Sequence, residues 1–323
     1  MTTDEWQDWW QTFLIEKKLQ RKVQELDEAD ALNGNEPLTE KICQEVYNNY
    51  DDIKRHLDGI KTNLINTLGQ LEQVHLQSGR VKKKDSLIEK IIRKRHKYFG
   101  SQTSDYAHLD GRNYADIITD LAGVRLIINY RGKWQDIHGK ILESFPLKEL
   151  SLYDSVEHLP HIEGESFLAE IPIVYYARGD STEQYMQENL KVKEHTQGYR
   201  SIHYVISCQS SYAELQVRTI YDEAWSDCDH NYVYKHDAKP NNRALRKLSH
   251  ILCDITNVAN DIGDNIHDAF EENRFSDTEG DSWMASSEDI EFFNSVLNRL
   301  HEAEKDLRAF VGKLKTNDEP TVV

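Results

Sequence analysis

The sequence predicts an α+β protein, in which a mixed β-sheet within residues 115–235 has helical segments on both sides. Short β-branched runs bounded by turn residues occur only in this middle part, whereas apolar residues recur at helical spacing before and after it. The 323 residues exceed the roughly 150 of one typical domain. We therefore expect an N-terminal helical extension (1–64), a core domain (65–240) and an acidic, helical C-terminal extension (241–323).

The individual elements follow from the same periodicities. The predicted helices cover residues 4–30, 39–75, 85–97, 134–145, 220–234, 241–270 and 287–315. The predicted strands cover residues 123–130, 167–176, 201–208 and 213–218. A polar loop at 100–111 and an acidic linker at 276–287 separate neighbouring elements.

Composition excludes several classes of protein. With 38% hydrophobic and 29% charged residues the chain is globular, and its longest nearly apolar stretch, 167–177, is far short of the ~20 residues of a membrane span. No cationic segment precedes an apolar run at the N-terminus, so we expect no secretory signal. The four cysteines are scattered without a CxxC pair, which favours reduced thiols in the cytoplasm over disulfides or a zinc site.

Charge is distributed unevenly along the chain. Thirty-nine basic and 56 acidic residues give a net charge of −17, which argues against a general nucleic-acid coat. Nevertheless, residues 80–97 hold nine Lys/Arg against two acids, and residues 268–306 hold twelve Asp/Glu against three bases. A basic segment in an acidic protein points to phosphate as its ligand.

The basic segment contains four cations that are spaced to converge on one polyanion: Arg80, Lys82, Lys90 and Arg93. Lys90 and Arg93 are three residues apart and share a helix face. The alternative interpretation of this segment is a solvated, charged helix.

Two further clusters lie at the predicted strands. Asp120 precedes a strand and Arg125 lies just inside it, an arrangement that a simple cap would also explain. A loop at 197–200 carries Tyr199, after which Ser201 and His203 alternate onto one strand face, where a histidine is more often structural.

The last cluster, at 213–218, places Glu214, Gln216 and Arg218 on one strand face. Burying three such side chains without a ligand would be costly, so we favour a binding site over a solvent-facing sheet. Asp120 and Glu214 suit Mg²⁺, which binds through one or two carboxylates together with substrate phosphates. The residues alone thus indicate nucleotide-dependent phosphoryl or pyrophosphoryl transfer.

Four ordered motifs carry a resemblance to a known family: GRVKKKDSLIEKIIRK (79–94), DLAGVRLI (120–127), GYRSIHYVI (198–206) and AELQVRTIYDEAWSDCDHNYVYK (213–235). They resemble the RelA/SpoT-type alarmone synthetase domain, a GTP pyrophosphokinase, and are most similar to its single-domain small alarmone synthetases, some of which are toxic. The resemblance implies a nucleotidyltransferase-like core that transfers the β,γ-pyrophosphoryl group of ATP to the 3′-hydroxyl of GDP or GTP, making (p)ppGpp.

The resemblance also implies residue roles. Arg80 and Arg125 would sandwich adenine, and Lys82, Lys90 and Arg93 would hold the ATP phosphates. Asp120 would bind Mg²⁺, and Glu214 would assist the metal or act as base toward the 3′-hydroxyl. The remaining implied residues would hold the acceptor: Tyr199 by stacking, and His203, Gln216 and Arg218 by orienting it and its phosphates.

One departure from the family pattern lies on the acceptor side. The family's Lys-x-Asn-Gly-Tyr loop is His195-Thr-Gln-Gly-Tyr199 here, so a cation is replaced by a histidine that is largely neutral at pH 7. Two alternatives therefore stay open: a toxic relative that modifies an adenosine nucleotide or the 3′ end of tRNA, and a degenerate, regulatory domain. A homo-oligomer, an antitoxin and autoinhibition by the acidic tail also remain hypotheses.

Overall fold

A computed structural model of the chain describes residues 2–154, 156–187, 189–234, 242–271 and 287–316. Seven strands in these residues form one sheet: β1 Val74–Val81, β2 Ala122–Ile128, β3 Phe167–Leu168, β4 Ile173–Tyr176, β5 Lys191–Glu194, β6 Ser201–Cys208 and β7 Ser211–Thr219. The order is β1-β2-β7-β6-β4-β5, with β3 also paired to β6. Because β2–β7 and β4–β5 are parallel and the other pairs antiparallel, the predicted mixed sheet is confirmed.

Helices surround this sheet, as the fold class requires. In the described residues they are α1 Thr3–Lys17, α2 Gln20–Leu32, α3 Thr39–Leu68, α4 Lys84–Tyr98, α5 Tyr114–Ile117, α6 Trp134–Ser144, α7 Ile220–Cys228, α8 Asn242–Glu271 and α9 Ser287–Thr316. Within the described part of the chain, none of these helices is long and apolar enough to cross a membrane.

The sheet has one apolar face and one polar face. Leu215 and Val217 of β7 are buried in the apolar face, which forms the main core together with the apolar side of α3. Gly79 of β1 permits close approach to α3, since a Cβ there would lie 2.8 Å from side-chain carbons of Ile65 and Lys61. The opposite face carries the polar side chains described below.

The N-terminal helix is shorter than expected. A single helix over 4–30 is wrong, because Lys18 adopts a left-handed conformation (φ 56°) that ends α1 and turns the chain into α2. Buried Trp6 and Trp10 fix α1 on the core, and the Trp6 indole donates to Glu40 at 2.9 Å. The helical periodicity continues through this turn, which is why it did not show in the pattern.

Two edge strands were missed. The helix predicted to residue 75 ends at Leu68, and β1 follows from Val74. Both β1 and β5 lie at sheet edges with mostly exposed side chains, so neither shows apolar alternation. The strand predicted over 167–176 is divided into β3 and β4 by a segment containing Pro172, which cannot donate to a ladder.

The C-terminal helices agree with the sequence. α8 and α9 match the predicted helices, and the acidic linker at 276–287 lies outside the described residues except for its last position. The Trp225 indole of α7 donates to the Ser249 carbonyl at 2.9 Å, which ties α8 to the sheet domain. The proposed domain boundaries remain predictions; α3 runs without interruption across residues 64 and 65.

Candidate active site

The polar face gathers residues from neighbouring strands through their register. Arg125 on β2 lies opposite Gln216 on β7, and Gln216 lies opposite His203 on β6. Because directly paired residues project to the same face and side chains alternate along a strand, Glu214 and Arg218 lie on that face too. The sequence prediction that the polar residues of 213–218 share one face is consistent with this register.

At one end of this face, two lysines converge on a carboxylate. Lys82 Nζ lies 2.8 Å from Asp120 Oδ2, and Lys90 Nζ lies 2.8 Å from Asp120 Oδ1. Lys82 directly follows β1, Lys90 projects from α4, and Asp120 precedes β2. The turn after β1 and the start of β2 are held together by the Lys82 amide, which donates to the Leu121 carbonyl at 2.8 Å.

The charge balance keeps this carboxylate ionised. Burial by itself would raise the pKa of Asp120, but the positive charges of Lys90 and Lys82 and their hydrogen bonds lower it to about 2. The three groups thus form a compact unit that pairs two cations with one anion. An incoming polyphosphate would compete with Asp120 for these two ammonium groups.

The two predicted adenine-contacting arginines are diagonal neighbours across the β1–β2 pair. Arg80 lies opposite Gly123 and Ser78 lies opposite Arg125, so both arginines project to the polar face. Arg125 Nη1 is held at 2.6 Å from Glu223 Oε1, whereas Arg80 is exposed.

Arg93 takes a different direction. Its guanidinium pairs with Glu89 at 2.5 Å on the surface of α4, and Lys17 lies 3.2 Å from the same carboxylate. The structure therefore brings Lys82 and Lys90 together directly, and leaves Arg93 beside them in an ion pair of its own.

At the other end of the face, five side chains close a ring of hydrogen bonds: Glu214, His203, Tyr199, Arg218 and Gln216. His203 Nδ1 lies 3.2 Å from Glu214 Oε1, and His203 Nε2 lies 2.8 Å from the Tyr199 hydroxyl. Arg218 Nη2 donates to the Tyr199 hydroxyl and, at 2.5 Å, to Gln216 Oε1. Gln216 Nε2 then donates to Glu214 Oε2 at 2.6 Å, so both carboxylate oxygens accept hydrogen bonds.

Arg218 is fixed in several directions at once. Its guanidinium stacks 4.7 Å from the centre of the Tyr199 ring and donates to Glu223 and Ser226 of α7, each at 2.9 Å. Glu223 also binds Arg125, so α7 links the two ends of the face. Such a network holds its side chains in defined positions before a ligand arrives.

Two carboxyl groups here have opposite pKa shifts. Burial would raise the pKa of Glu214, but the hydrogen bond from His203 leaves it lowered. Burial and the negative charge of Glu214 raise the pKa of Glu170 to about 7, against the weaker effects of Lys191 and Lys90. Glu170 thus lies within electrostatic range of Glu214.

The loop at residues 195–200, which the family resemblance assigns to the acceptor and which we call the acceptor loop, has a histidine at its first position. The ring of His195 lies 5.3 Å from that of Tyr199 and 6.2 Å from that of Tyr175, and its Nδ1 accepts from the Tyr199 amide at 3.4 Å. Burial lowers the pKa of His195 against the opposing effect of the Asp229 charge, and the charge of Lys193 acts in the same direction as burial. The neutral state expected from the sequence is thereby reinforced.

The residues present fit a magnesium ion. Asp120 and Glu214 are the two carboxylates expected for it, and they are close enough that the charge of Asp120 acts on the pKa of Glu214. Mg²⁺ takes oxygen ligands and commonly needs only one or two carboxylates when phosphates supply the rest. Within the described residues, no group of three or more His, Cys, Asp or Glu side chains forms a self-sufficient metal site.

Sequence reasoning missed three contributors to the site. Glu223 follows Arg218 by five residues, and this spacing within the ELQVRT…E run was the available signal. Tyr175 contacts His203 at 4.8 Å between ring centres, but it lay within a segment interpreted only as a strand. Glu170 was treated solely as an interruption in an apolar stretch.

The region that contains these residues is similar to known proteins. Residues 79–239 match the region found in RelA/SpoT proteins. No curated protein matches the sequence. The described site residues that were predicted from the motifs all lie within this matched region.

Several solved structures are similar. The small alarmone synthetase 2 from Bacillus subtilis shares 17% identity over 69% of this chain and 99% of its own, with a TM-score of 0.42. The small alarmone synthetase 1 from the same organism, bound to its product pppGpp, shares 15% over 72% and 95%, with a TM-score of 0.38. A GTP pyrophosphokinase family protein from Streptococcus pneumoniae shares 17% over 71% and 92%, with a TM-score of 0.39.

The mixed sheet with a cation–carboxylate cluster and a polar face belongs to an enzyme that transfers a phosphate-containing group. Through residues 79–239 the chain belongs to the RelA/SpoT family, whose synthetase members are pyrophosphotransferases.

Proposed function

We propose that the protein transfers the β,γ-pyrophosphoryl group of ATP to the ribose 3′-hydroxyl of GDP or GTP. The observation that supports this most directly is the position of Glu214. It lies within electrostatic range of the Asp120–Lys82–Lys90 cluster and within the hydrogen-bonded ring that contains Tyr199. Donor and acceptor sites thus meet at one carboxylate.

On the donor side, we assign Arg80 and Arg125 to the adenine, because both project to one face as diagonal neighbours. Lys82, Lys90 and, nearby, Arg93 would bind the ATP phosphates. Asp120 and Glu214 would hold Mg²⁺, which would neutralise phosphate charge when bound.

On the acceptor side, Tyr199 would stack on the base while Arg218, Gln216 and His203 orient the nucleotide. The 3′-oxygen attacks the β-phosphorus, a new O3′–P bond forms, and the bond between the α,β-bridging oxygen and the β-phosphorus breaks. AMP leaves with that oxygen. Glu214 would take the hydroxyl proton as the new bond forms.

A second acceptor is favoured by one specific observation. His195 stands where the family has a lysine, and its lowered pKa leaves the acceptor loop without a cation at that point. An acceptor without a 5′-polyphosphate, an adenosine nucleotide such as AMP or the 3′ end of tRNA, would depend less on that cation. Such an activity would make the protein a toxin that needs an antitoxin. The two acceptor classes are distinguished by the same assay.

The four cysteines are free and ATP is the donor, so we place the reaction in the cytoplasm.

The test of the proposed transfer is incubation of the protein with Mg²⁺, ATP labelled at the γ-phosphate and, in separate reactions, GDP, GTP, ADP, AMP or deacylated tRNA. Label on a guanosine nucleotide supports the proposal, and label on another acceptor supports the second candidate. Absence of label from every acceptor would refute both.

The matched pair Asp120→Ala and Asp116→Ala completes the test. Asp116 is exposed and lies four residues before Asp120. Asp120→Ala should abolish transfer while Asp116→Ala leaves it intact, with circular dichroism confirming that both fold. Full activity of Asp120→Ala would contradict the assignment of the donor site.

A further inference from the structure

A buried ion pair between Arg200 and Asp180 holds the acceptor loop in place. Arg200, its last residue, binds Asp180 through two contacts, Nε to Oδ2 at 2.7 Å and Nη2 to Oδ1 at 2.9 Å. Arg200 Nη1 also donates to the Gly198 carbonyl at 3.2 Å. The guanidinium therefore connects a residue twenty positions earlier to the turn that precedes Tyr199.

Helix α8 binds the same ion pair from the C-terminal extension. Asn257 Nδ2 donates to Asp180 Oδ1 at 3.3 Å, and Asn257 Oδ1 accepts from Arg131 Nη2 at 2.9 Å. Arg131 is in turn held by Asp261 of α8 at 3.1 Å. The amide of Asn257 thus bridges an acidic and a basic partner, and both of its ends are used.

The loop also packs on α8 without spare room. Gly198 has φ +86°, and a Cβ at that position would lie 2.5 Å from Cys253 Sγ. Cys253 Sγ accepts from Arg200 Nη1 at 3.1 Å. Movement of α8 by even a fraction of an ångström would therefore be transmitted to the backbone beside Tyr199.

We propose that α8 positions the acceptor loop, with Asn257 as a positioning residue acting through Asp180 and Arg200. The C-terminal extension is then part of the acceptor site. Its kinetic consequence rests on the proposed function: loss of the bridge should weaken acceptor binding and leave the donor side unaffected. Lys82, Lys90 and Asp120 make none of these contacts among the described residues.

The experiment compares Asn257→Ala with Asn265→Ala in the full-length protein. Asn265 lies about two turns further along α8. Hydrogen exchange is followed at the amides of residues 195–200 and, as an internal reference, at those of β1 and β2. Asn257→Ala removes both hydrogen bonds of the amide, and the lost contact to Asp180, about 1 kcal/mol, should speed exchange in the acceptor loop about fivefold.

Steady-state kinetics supply the second readout. Asn257→Ala should raise KM for the acceptor about fivefold while kcat and KM for ATP change less than about twofold. Should Asn257→Ala not fold, Asn257→Ser removes the same amide and takes its place. Asn265→Ala should match the wild type in both readouts.

Unchanged exchange in residues 195–200 would overturn the proposal, as would an equal increase in β1 and β2, which would mean general loosening. Exchange needs no substrate. If the wild type transferred no label, the proposed function would fail while the exchange result still decided the role of α8.

Discussion

His203 Nδ1 lies 3.2 Å from Glu214 Oε1, while His203 Nε2 lies 2.8 Å from the Tyr199 hydroxyl. In the neutral tautomer with the proton on Nδ1, the imidazole donates to Glu214 and accepts from Tyr199. Arg218 donates to Tyr199, so the hydrogen bonds run in one direction from the guanidinium to the carboxylate. This ring holds Glu214 in place and keeps it ionised.

Replacement of this carboxylate should abolish proton acceptance with little change in shape. We expect Glu214→Gln to reduce the rate of pyrophosphate transfer by about 10²–10⁴-fold, the usual contribution of a general base. The thermal midpoint should fall modestly, because an amide has one acceptor oxygen and loses one of the two hydrogen bonds that Gln216 and His203 donate to Glu214. Rates with labelled ATP and thermal melts check both. The control Glu291→Gln, at an exposed position on α9, should change neither the rate nor the thermal midpoint. A Glu214→Gln rate within tenfold of wild type would exclude a base role.

Asp120 should contribute stability in a defined pH window. Its pKa falls from 3.8 to about 2 on folding, so its contribution is complete above 3.8 and is lost as pH falls through 2. Asp120→Asn should therefore lower the free energy of unfolding by about 1–2 kcal/mol at pH 7, and the deficit should shrink toward pH 2. Urea melts from pH 2 to 7 measure this.

The control for that series is Asp116→Asn. Asp116 is exposed, so its substitution should leave the free energy of unfolding nearly unchanged at each pH. A deficit in Asp120→Asn that stayed constant down to pH 2 would show that the carboxylate charge is not the stabilising factor.

Glu170 has the opposite linkage. Burial and the charge of Glu214 raise its pKa from 4.5 to about 7, so the folded protein keeps a proton there that the unfolded chain has already lost. Stability contributed by this group is present below pH 4.5 and is lost as pH rises through 7. Glu170→Gln should therefore be more stable than wild type at pH 8, by about 1–3 kcal/mol, and similar to it at pH 4.

Urea melts at pH 4 and 8 test this, with the exposed Glu163→Gln as control. Equal stability of Glu170→Gln and wild type at pH 8 would contradict the raised pKa. A simultaneous gain in Glu163→Gln would attribute the effect to net charge instead.

Polar side chains that share one strand could be predicted from the sequence. Contacts between side chains of different elements were harder to predict. Alternation along β7 places Glu214, Gln216 and Arg218 on one face, and strand register then adds His203. The partner of Arg218 and Arg125, Glu223, depends on the direction in which α7 leaves β7. No periodicity encodes that direction.

The fold shows the same division. Core strands carry buried β-branched residues and were predicted, whereas edge strands β1 and β5 are mostly exposed and resemble loops in sequence. The ion pair between Asp180 and Arg200 joins loops twenty residues apart. Such contacts depend on loop geometry, which sequence patterns do not specify.

A cation restored to the acceptor loop should reveal whether the acceptor carries a polyphosphate. The half-buried His195 ring lies beside Tyr199 with a lowered pKa, so it offers no charge near pH 7. If GDP or GTP is the acceptor, His195→Lys should lower its KM about three- to tenfold through a new charge-assisted contact, leaving KM for ATP unchanged. Thr196→Lys adds the same charge at the next, exposed position and should have a smaller effect. Equal KM values for wild type and His195→Lys would mean that the acceptor phosphates lie elsewhere. If His195→Lys instead increased transfer to tRNA, and this increase fell steeply with salt, the acceptor would be a nucleic acid.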